Sequence, residues 1–135
     1  MTDNKELRTI AENTISSFGS RIRSSPEAVP EMLAAAAWMF YSPKEIIIAG
    51  TPDAADTKAL VSEVHAHYLP FRVLLLADGG RGQQELASLL PLIADIKAEG
   101  GRATAYICED YACQLPTSDR AVVARLLGQP GTREP

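Results

Sequence analysis

Three short apolar runs constrain this chain more than any other feature: Glu45-Ile46-Ile47-Ile48-Ala49-Gly50, Val73-Leu74-Leu75-Leu76-Ala77 and Ala103-Thr104-Ala105-Tyr106-Ile107-Cys108. The first two lack alternation and read as strands buried on both faces. The third alternates more and follows Gly100-Gly101, a helix terminator and turn. Between the first two runs, Leu60, Val61, Val64 and Tyr68 share one face of a helix. Between the second two, Leu86, Leu89, Leu90, Leu92, Ile93 and Ile96 form a further helical segment that Pro91 should split or kink. Pro116-Thr117-Ser118-Asp119 then offers a cap, and Val122, Val123, Leu126 and Leu127 make a last amphipathic helix that stops at Gly128. This alternation with short connections predicts an α/β fold. Its sheet is expected to be a small three-strand parallel βαβαβα unit over about 44–128, with right-handed crossovers and the first strand central.

Helices precede this unit. Leu7, Ile10, Ala11, Thr14, Ile15, Phe18 and Ile22 recur at helical spacing, which predicts one amphipathic helix from about Lys5 to Arg23 with a buried face. Ser24 and Glu27 have capping-box spacing, and Pro26 suits an early helical position. Because Pro30 would clash inside an established helix, the regular part of the second helix should begin there and run to about Tyr41. From Met32 to Tyr41 it has no polar side, and a helix apolar all round is normally buried all round. The expected organisation is a single domain over 1–128, a helical hairpin (about 5–41) followed by the α/β unit, with a loose tail at 129–135.

At 135 residues, 46% hydrophobic and 22% charged, the chain has the composition of one folded domain. Its 13 Lys and Arg are interspersed with 17 Asp and Glu, so it lacks the basic stripe that nucleic-acid binding requires. The opening Met1-Thr2-Asp3-Asn4-Lys5-Glu6 does not have the order of a secretory signal. The uncharged run Met32–Tyr41 is too short to cross a bilayer, which takes ~17 to 25 residues. Two cysteines, Cys108 and Cys113, fit a reducing compartment, and the cytoplasm is the expected location.

The order of motifs resembles a known family. An alanine-rich helix runs into Ser42-Pro43-Lys44-Glu45-Ile46-Ile47-Ile48-Ala49-Gly50. Asp56-Thr57-Lys58-Ala59-Leu60 and Tyr68-Leu69-Pro70 follow, and then Ala103-Thr104-Ala105-Tyr106-Ile107-Cys108-Glu109-Asp110-Tyr111-Ala112-Cys113-Gln114-Leu115-Pro116. Over about residues 5–127 this is similar to the carboxy-terminal region of the spermatogenesis-associated, thioredoxin-domain-containing proteins. Members of that family are longer, with an amino-terminal thioredoxin-like domain bearing Cys-X-X-Cys and an α/α toroid similar to six-hairpin glycosidases. The resemblance implies that this chain has neither the thioredoxin-like domain nor most of the toroid. It also implies that the doubly apolar helix packs, in longer relatives, against toroid helices absent here. Neither the family's redox motif nor its carbohydrate cleft maps onto any residue of this sequence.

Candidate chemistry is sparse. Cys108 and Cys113 are separated by four residues rather than the two of a thioredoxin-type site, and no helix N-terminus directly follows Cys108. A redox role is the sharper reading. Two reduced, small apolar side chains is the plainer one, and a disulfide requires Cα atoms within about 7 Å. His65 and His67 would complete a nominal zinc set, but residues two apart on a helix point about 200° apart, so no metal site is expected. In a parallel sheet, ligands bind at the strand carboxyl ends. Asp56, Asp78 and Glu109, with Lys58 and Thr57, could there form a phosphoryl or magnesium site. The plainer reading is that Asp56 caps a helix and Asp78-Gly79-Gly80 is a turn. Gly79-Gly80-Arg81-Gly82 lacks the third glycine of GxGxxG. Gly50-Thr51-Pro52-Asp53 is no P-loop, and no Gly-x-Ser-x-Gly elbow exists.

The sequence therefore reads as a non-catalytic structural or interaction module with no cofactor. The alternatives are a ligand-binding or enzymatic domain using Asp56, Lys58, Asp78 and Glu109, and a thiol role for Cys108 and Cys113. Ala34, Trp38 and Tyr41 mark the interface flank of the second helix. An exposed apolar stripe of ~300 to 400 Å² corresponds to very roughly 8 to 10 kcal/mol before association costs. The expected partner is a second copy or a separate helical protein, met through the hairpin; neither nucleic acid nor a membrane is expected.

Overall fold

The computed structural model describes residues 4–41, 43–109 and 112–129. Asp110 and the tail from 130 onward lie outside the described residues. The chain divides into two compact units, Met1–Ser42 and Pro43–Pro135.

The first unit is helical. α1 (Lys5–Ser17) starts at Asn4, whose side chain accepts the Leu7 N–H at 3.0 Å. The single long helix expected from the periodicity is instead broken at Phe18 (ψ 4°), and α2 (Gly19–Ser24) continues beyond the break. Glycine at the junction lowers the helix propensity there. α1 has no buried residue, and Leu7 and Ile10 are exposed, contrary to the buried face that the spacing implied. A 3-10 turn, Pro26–Ala28, leads into α3 (Pro30–Phe40). The expected capping box does not form, since Ser25, not Ser24, precedes this turn and it makes no side-chain cap bond. Pro30 opens α3 because its missing N–H is one that no helix start can bond. Ala36 is the buried residue of α3, while Leu33, Trp38, Phe40 and Tyr41 are exposed.

The second unit is mixed α/β. β1 (Lys44–Ala49) and β2 (Arg72–Ala77) pair in parallel, joined through α4 (Ala55–His65). Tyr68 lies beyond α4 and is exposed, not on its apolar face. α5 (Arg81–Ala87) and a 3-10 turn, Pro91–Asp95, follow. β3 (Thr104–Glu109), β4 (Ala112–Cys113) and α6 (Arg120–Leu127) complete the unit. The strand order is β2-β1-β3-β4, so the first strand is internal.

Two expectations about the sheet need correction. β3 runs antiparallel to β1, and a fourth strand, β4, adds to it, so the sheet is four-stranded and mixed rather than three-stranded and parallel. The cause lies in the β2–β3 connection. A seven-residue α5 extends only ~10 Å at 1.5 Å per residue, well short of a six-residue strand, and the rest of the connection forms no α-helix, so no crossover helix spans the sheet. Pro91 then starts the 3-10 turn, as its fixed φ and missing N–H favour. The chain therefore re-enters the sheet at the end it left, with Thr104 opposite Ala49. The other correction concerns β2: it stands at the sheet edge with five of its six residues half-buried, although its apolar run predicts burial on both faces.

Ile46 and Ile48 join Ala105, Ile107, Leu60, Val64, Val123 and Leu127 in one core beneath α4 and α6. Strand alternation turns Ile47 to the opposite face. On that face the Tyr106 hydroxyl donates to the Lys97 carbonyl at 2.8 Å, tethering the β2–β3 connection. Asp119 caps α6 by accepting the Ala121 N–H, within the segment the sequence marks as a cap.

Gly50 ends β1 where α4 and β3 converge. A Cβ there would lie 2.4 Å from Thr57 Oγ1 and 3.1 Å from Ala103 Cβ, a spacing only displacement could relieve. Gly50→Ala should therefore destabilise the chain by about 1–3 kcal/mol in chemical denaturation, the usual range for overpacking. Gly82→Ala, whose nearest neighbour would be Asp78 Oδ2 at 3.9 Å, should not.

Candidate functional site

The loops at the carboxyl ends of β1 and β2 hold most of the residues singled out from the sequence. Asp56 lies in the first turn of α4. One carboxylate oxygen accepts the Thr57 N–H at 2.9 Å, and the other accepts the Ala103 N–H at 2.8 Å. It thus ties the start of α4 to the start of β3. The Ala103 N–H first, and the Thr57 N–H second, hold Asp56 below its ordinary value of 3.8; the Arg102 charge adds a smaller pull, against partial desolvation. Ala103 follows a hairpin turn in which Gly100 and Gly101 have φ of 58° and 71° and Glu99 bridges Arg102. Positive φ at both central residues is what a two-residue hairpin turn demands.

The neighbouring candidates have local tasks. The Lys58 ammonium lies 3.1 Å from Asp53 on the surface. Asp78 accepts the Gly80 N–H at 2.8 Å in the turn predicted there, and Gly79 donates to Gln83 Oε1 at 2.7 Å. Gln83 is buried, and its amide donates to the carbonyls of Ile93 and Ile96. It holds the connection after β2 together. Thr57 is buried, and its Oγ1 has no hydrogen-bond partner among the described residues.

Glu109 is at the other end of the sheet. Because β3 is antiparallel, its carboxyl end lies beside the start of β1, where Glu109 meets the buried Lys44 at 3.1 Å. The length of β1, ~17 Å at ~3.3 Å per residue, separates that end from Asp56. Asp56, Lys58 and Asp78 therefore border one end of the sheet and Glu109 the other, and the four do not meet in one pocket. The reversal of β3 is what divides them.

Cys108 and Cys113 face each other across β3 and β4 with Cα atoms 3.9 Å apart and are joined as a disulfide. This corrects the plainer expectation of two reduced cysteines. Cys108 is buried, whereas Cys113 is exposed on the edge strand. Past the disulfide, Gln114 N–H donates to the Ile107 carbonyl, and Thr117 and Ala105 exchange two backbone bonds. The segment from β4 to Thr117 therefore lies along the outer side of β3.

Sequence reasoning missed a polar contact between α4 and α6. Glu63 is buried and accepts from Arg120 Nε, and His67 Nδ1, 3.7 Å from its carboxylate, donates to the Glu63 carbonyl. Only helix packing brings residues so distant in sequence together. His65 is exposed. Among the described residues no group of three or more His, Cys, Asp or Glu side chains could hold a metal ion.

The fold and these sheet-end junctions define a helical unit followed by a mixed α/β unit. No family profile and no solved structure matches the chain. Spermatogenesis-associated protein 20 of rat is 37% identical over 129 residues, 96% of this chain and 16% of the relative. The human protein of that name is 40% identical over 113 residues, 84% of this chain and 14% of the relative. Over this stretch the chain is similar to spermatogenesis-associated protein 20, and it spans 14 to 16% of the length of these relatives.

Two measurements test the structural roles. Asp56 titrates lower folded than unfolded, so its contribution to stability is whole above the ordinary carboxylate range and is lost as the pH falls through its folded value. Asp56→Asn should lower stability at neutral pH and flatten the loss of stability as the pH falls through and below the ordinary carboxylate range, read by denaturation at stepped pH. For the disulfide, native protein should show no reactive thiol before reduction. Replacing both cysteines by serine should cost about 2 kcal/mol, the loop-closure estimate for so short a ring.

Proposed function

We propose that this chain is a non-catalytic interaction module, similar to the carboxy-terminal region of longer thioredoxin-domain-containing proteins, and that it docks through its amino-terminal helical unit. One observation carries the reading: α3 leaves Trp38 42%, Tyr41 58% and Phe40 73% exposed, with Ala34 on the same exposed helix. Apolar surface of this kind on a small chain marks an interface. Its chemistry suits another apolar helix, in a second copy or in a separate protein.

Asp56, Lys58 and Asp78 each make local contacts and Glu109 pairs with Lys44, which favours this reading over the enzymatic one. A cytoplasmic location belongs to the same proposal. Among the described residues no helix is long and apolar enough to cross a membrane. The disulfide is unusual for a reducing compartment.

Trp38 is the single tryptophan, so its emission reports on this face alone. The emission should be that of an exposed indole in dilute protein and shift to the blue as concentration rises or a helical partner is added. Trp38→Glu should lower the sedimenting mass. Emission that never responds, together with sedimentation that Trp38→Glu leaves unchanged, would remove the proposal.

A further inference from the structure

The open edge of β2 is built like the interior of a sheet. Val73 to Ala77 is uninterrupted apolar sequence, of the kind found in strands with neighbours on both sides. Yet β2 ends the strand order, and among the described residues no strand pairs with its outer side. It also lacks the usual protections of an edge: between Val73 and Ala77 there is no proline, lysine or other charge. The opposite side of the sheet is treated differently, with the segment from β4 to Thr117 lying along β3.

The backbone phase of this edge is known. Lys44 N–H bonds the Phe71 carbonyl and Gly50 N–H bonds the Ala77 carbonyl, so residues 71, 73, 75 and 77 turn their polar groups toward β1. Arg72, Leu74 and Leu76 turn theirs outward, and their side chains share the α4 face with Ile46 and Ile48. Beside them, between β2 and α4, lies a groove of about 600 Å³ lined by Val61, His65, Leu74 and Leu76.

We propose that this edge is completed by β2 of a second copy, antiparallel about a two-fold axis at Leu75. An antiparallel pair exchanges hydrogen bonds between residues that both point outward. With Leu75 opposite itself, Leu74 of each copy faces Leu76 of the other, giving four backbone bonds. Arg72 of each copy then stands opposite Asp78 of the other, so the two ends of the pairing carry opposite charges. Shifting the register by one repeat places Leu74 opposite itself and Arg72 opposite Leu76, and the charge match is lost. Charge complementarity between Arg72, which opens β2, and Asp78, which follows it, thus selects both the occupant and the register. The leucines of the second copy extend the apolar floor of the groove, and the two sheets become one eight-stranded sheet. This interface belongs to the second unit, whereas Trp38 belongs to the first.

The charge match permits a mixing experiment. The parent chain should sediment as a dimer at micromolar concentration. Arg72→Asp and Asp78→Arg alone should each weaken dimerisation by about tenfold or more, since each replaces two opposite-charge pairs with two like-charge pairs. An equimolar mixture of the two variants should dimerise again, because both junctions then regain opposite charges; a general folding defect could not produce that recovery. Hydrogen exchange on the parent tests the edge without any variant. Amides of Leu74 and Leu76 should become more protected as concentration rises, while those of Val73 and Leu75, already bonded to β1, should not. The proposal is overturned by a parent that stays monomeric with unchanged Leu74 and Leu76 exchange, which would leave the edge to an extended segment of another protein. It is also overturned by folded variants whose mixture remains monomeric, or by a dimer that Trp38→Glu dissolves and Arg72→Asp does not.

Discussion

The junction at the end of β1 is the contact on which the α/β unit depends. Gly50 lets the chain leave β1 with no side chain between α4 and β3, and the Asp56 carboxylate uses both oxygens to bind the first turn of α4 and the backbone entering β3. A charge-assisted bond to a backbone N–H is stronger than a neutral one and more directional than apolar packing. It positions the entry into β3 beside β1. The core beneath α4 and α6 then forms from side chains that this entry brings into register, including Ala105 and Ile107.

The reversal of β3 goes with that junction and with a connection that holds no crossover helix long enough to span the sheet, and it reorganises the chemistry of the molecule. In a wholly parallel sheet the carboxyl ends of all strands gather the acidic loops at one end, where ligands commonly bind. Here the third strand carries its acidic end away to Lys44, a buried ion-pair partner. The turns at the other end are occupied in closing backbone hydrogen bonds at Gly80, Thr57 and Ala103. Carboxylates that look catalytic in sequence thus act as turn and helix-start acceptors, which is the commoner use of aspartate beside glycine.

Part of what remains exposed is apolar. α3 and β2 belong to different compact units, and each presents more hydrophobic surface than its element type ordinarily leaves in water. Contact energy at such surfaces comes mainly from removing apolar area from water, whereas hydrogen bonds and charges set the orientation. An aromatic helix face and a strand edge differ in this respect, because the first is tolerant of geometry and the second admits few registers.

The sequence by itself determined the elements whose cause is local. Pro30 begins α3, Asp119 caps α6, Pro91 ends helical continuation, Gly100-Gly101 makes a turn, and the three apolar runs become strands. Each rests on a propensity or a hydrogen bond within a few residues, so one window of sequence contains the whole cause. Tertiary structure alone decided the direction of β3, the exposure of β2 and the partners of the charged groups. The more alternating pattern of the third run suits either direction, and the choice between them was made by where the intervening segment returns to the sheet. Cys108 met Cys113 because a strand of only two residues, too short to show a period, brought it into register. Glu63 reached Arg120, and Asp56 reached Ala103, only after helices and strands distant in sequence had packed. Such pairings are set by the common free-energy minimum of many contacts, and no single stretch of the chain encodes them.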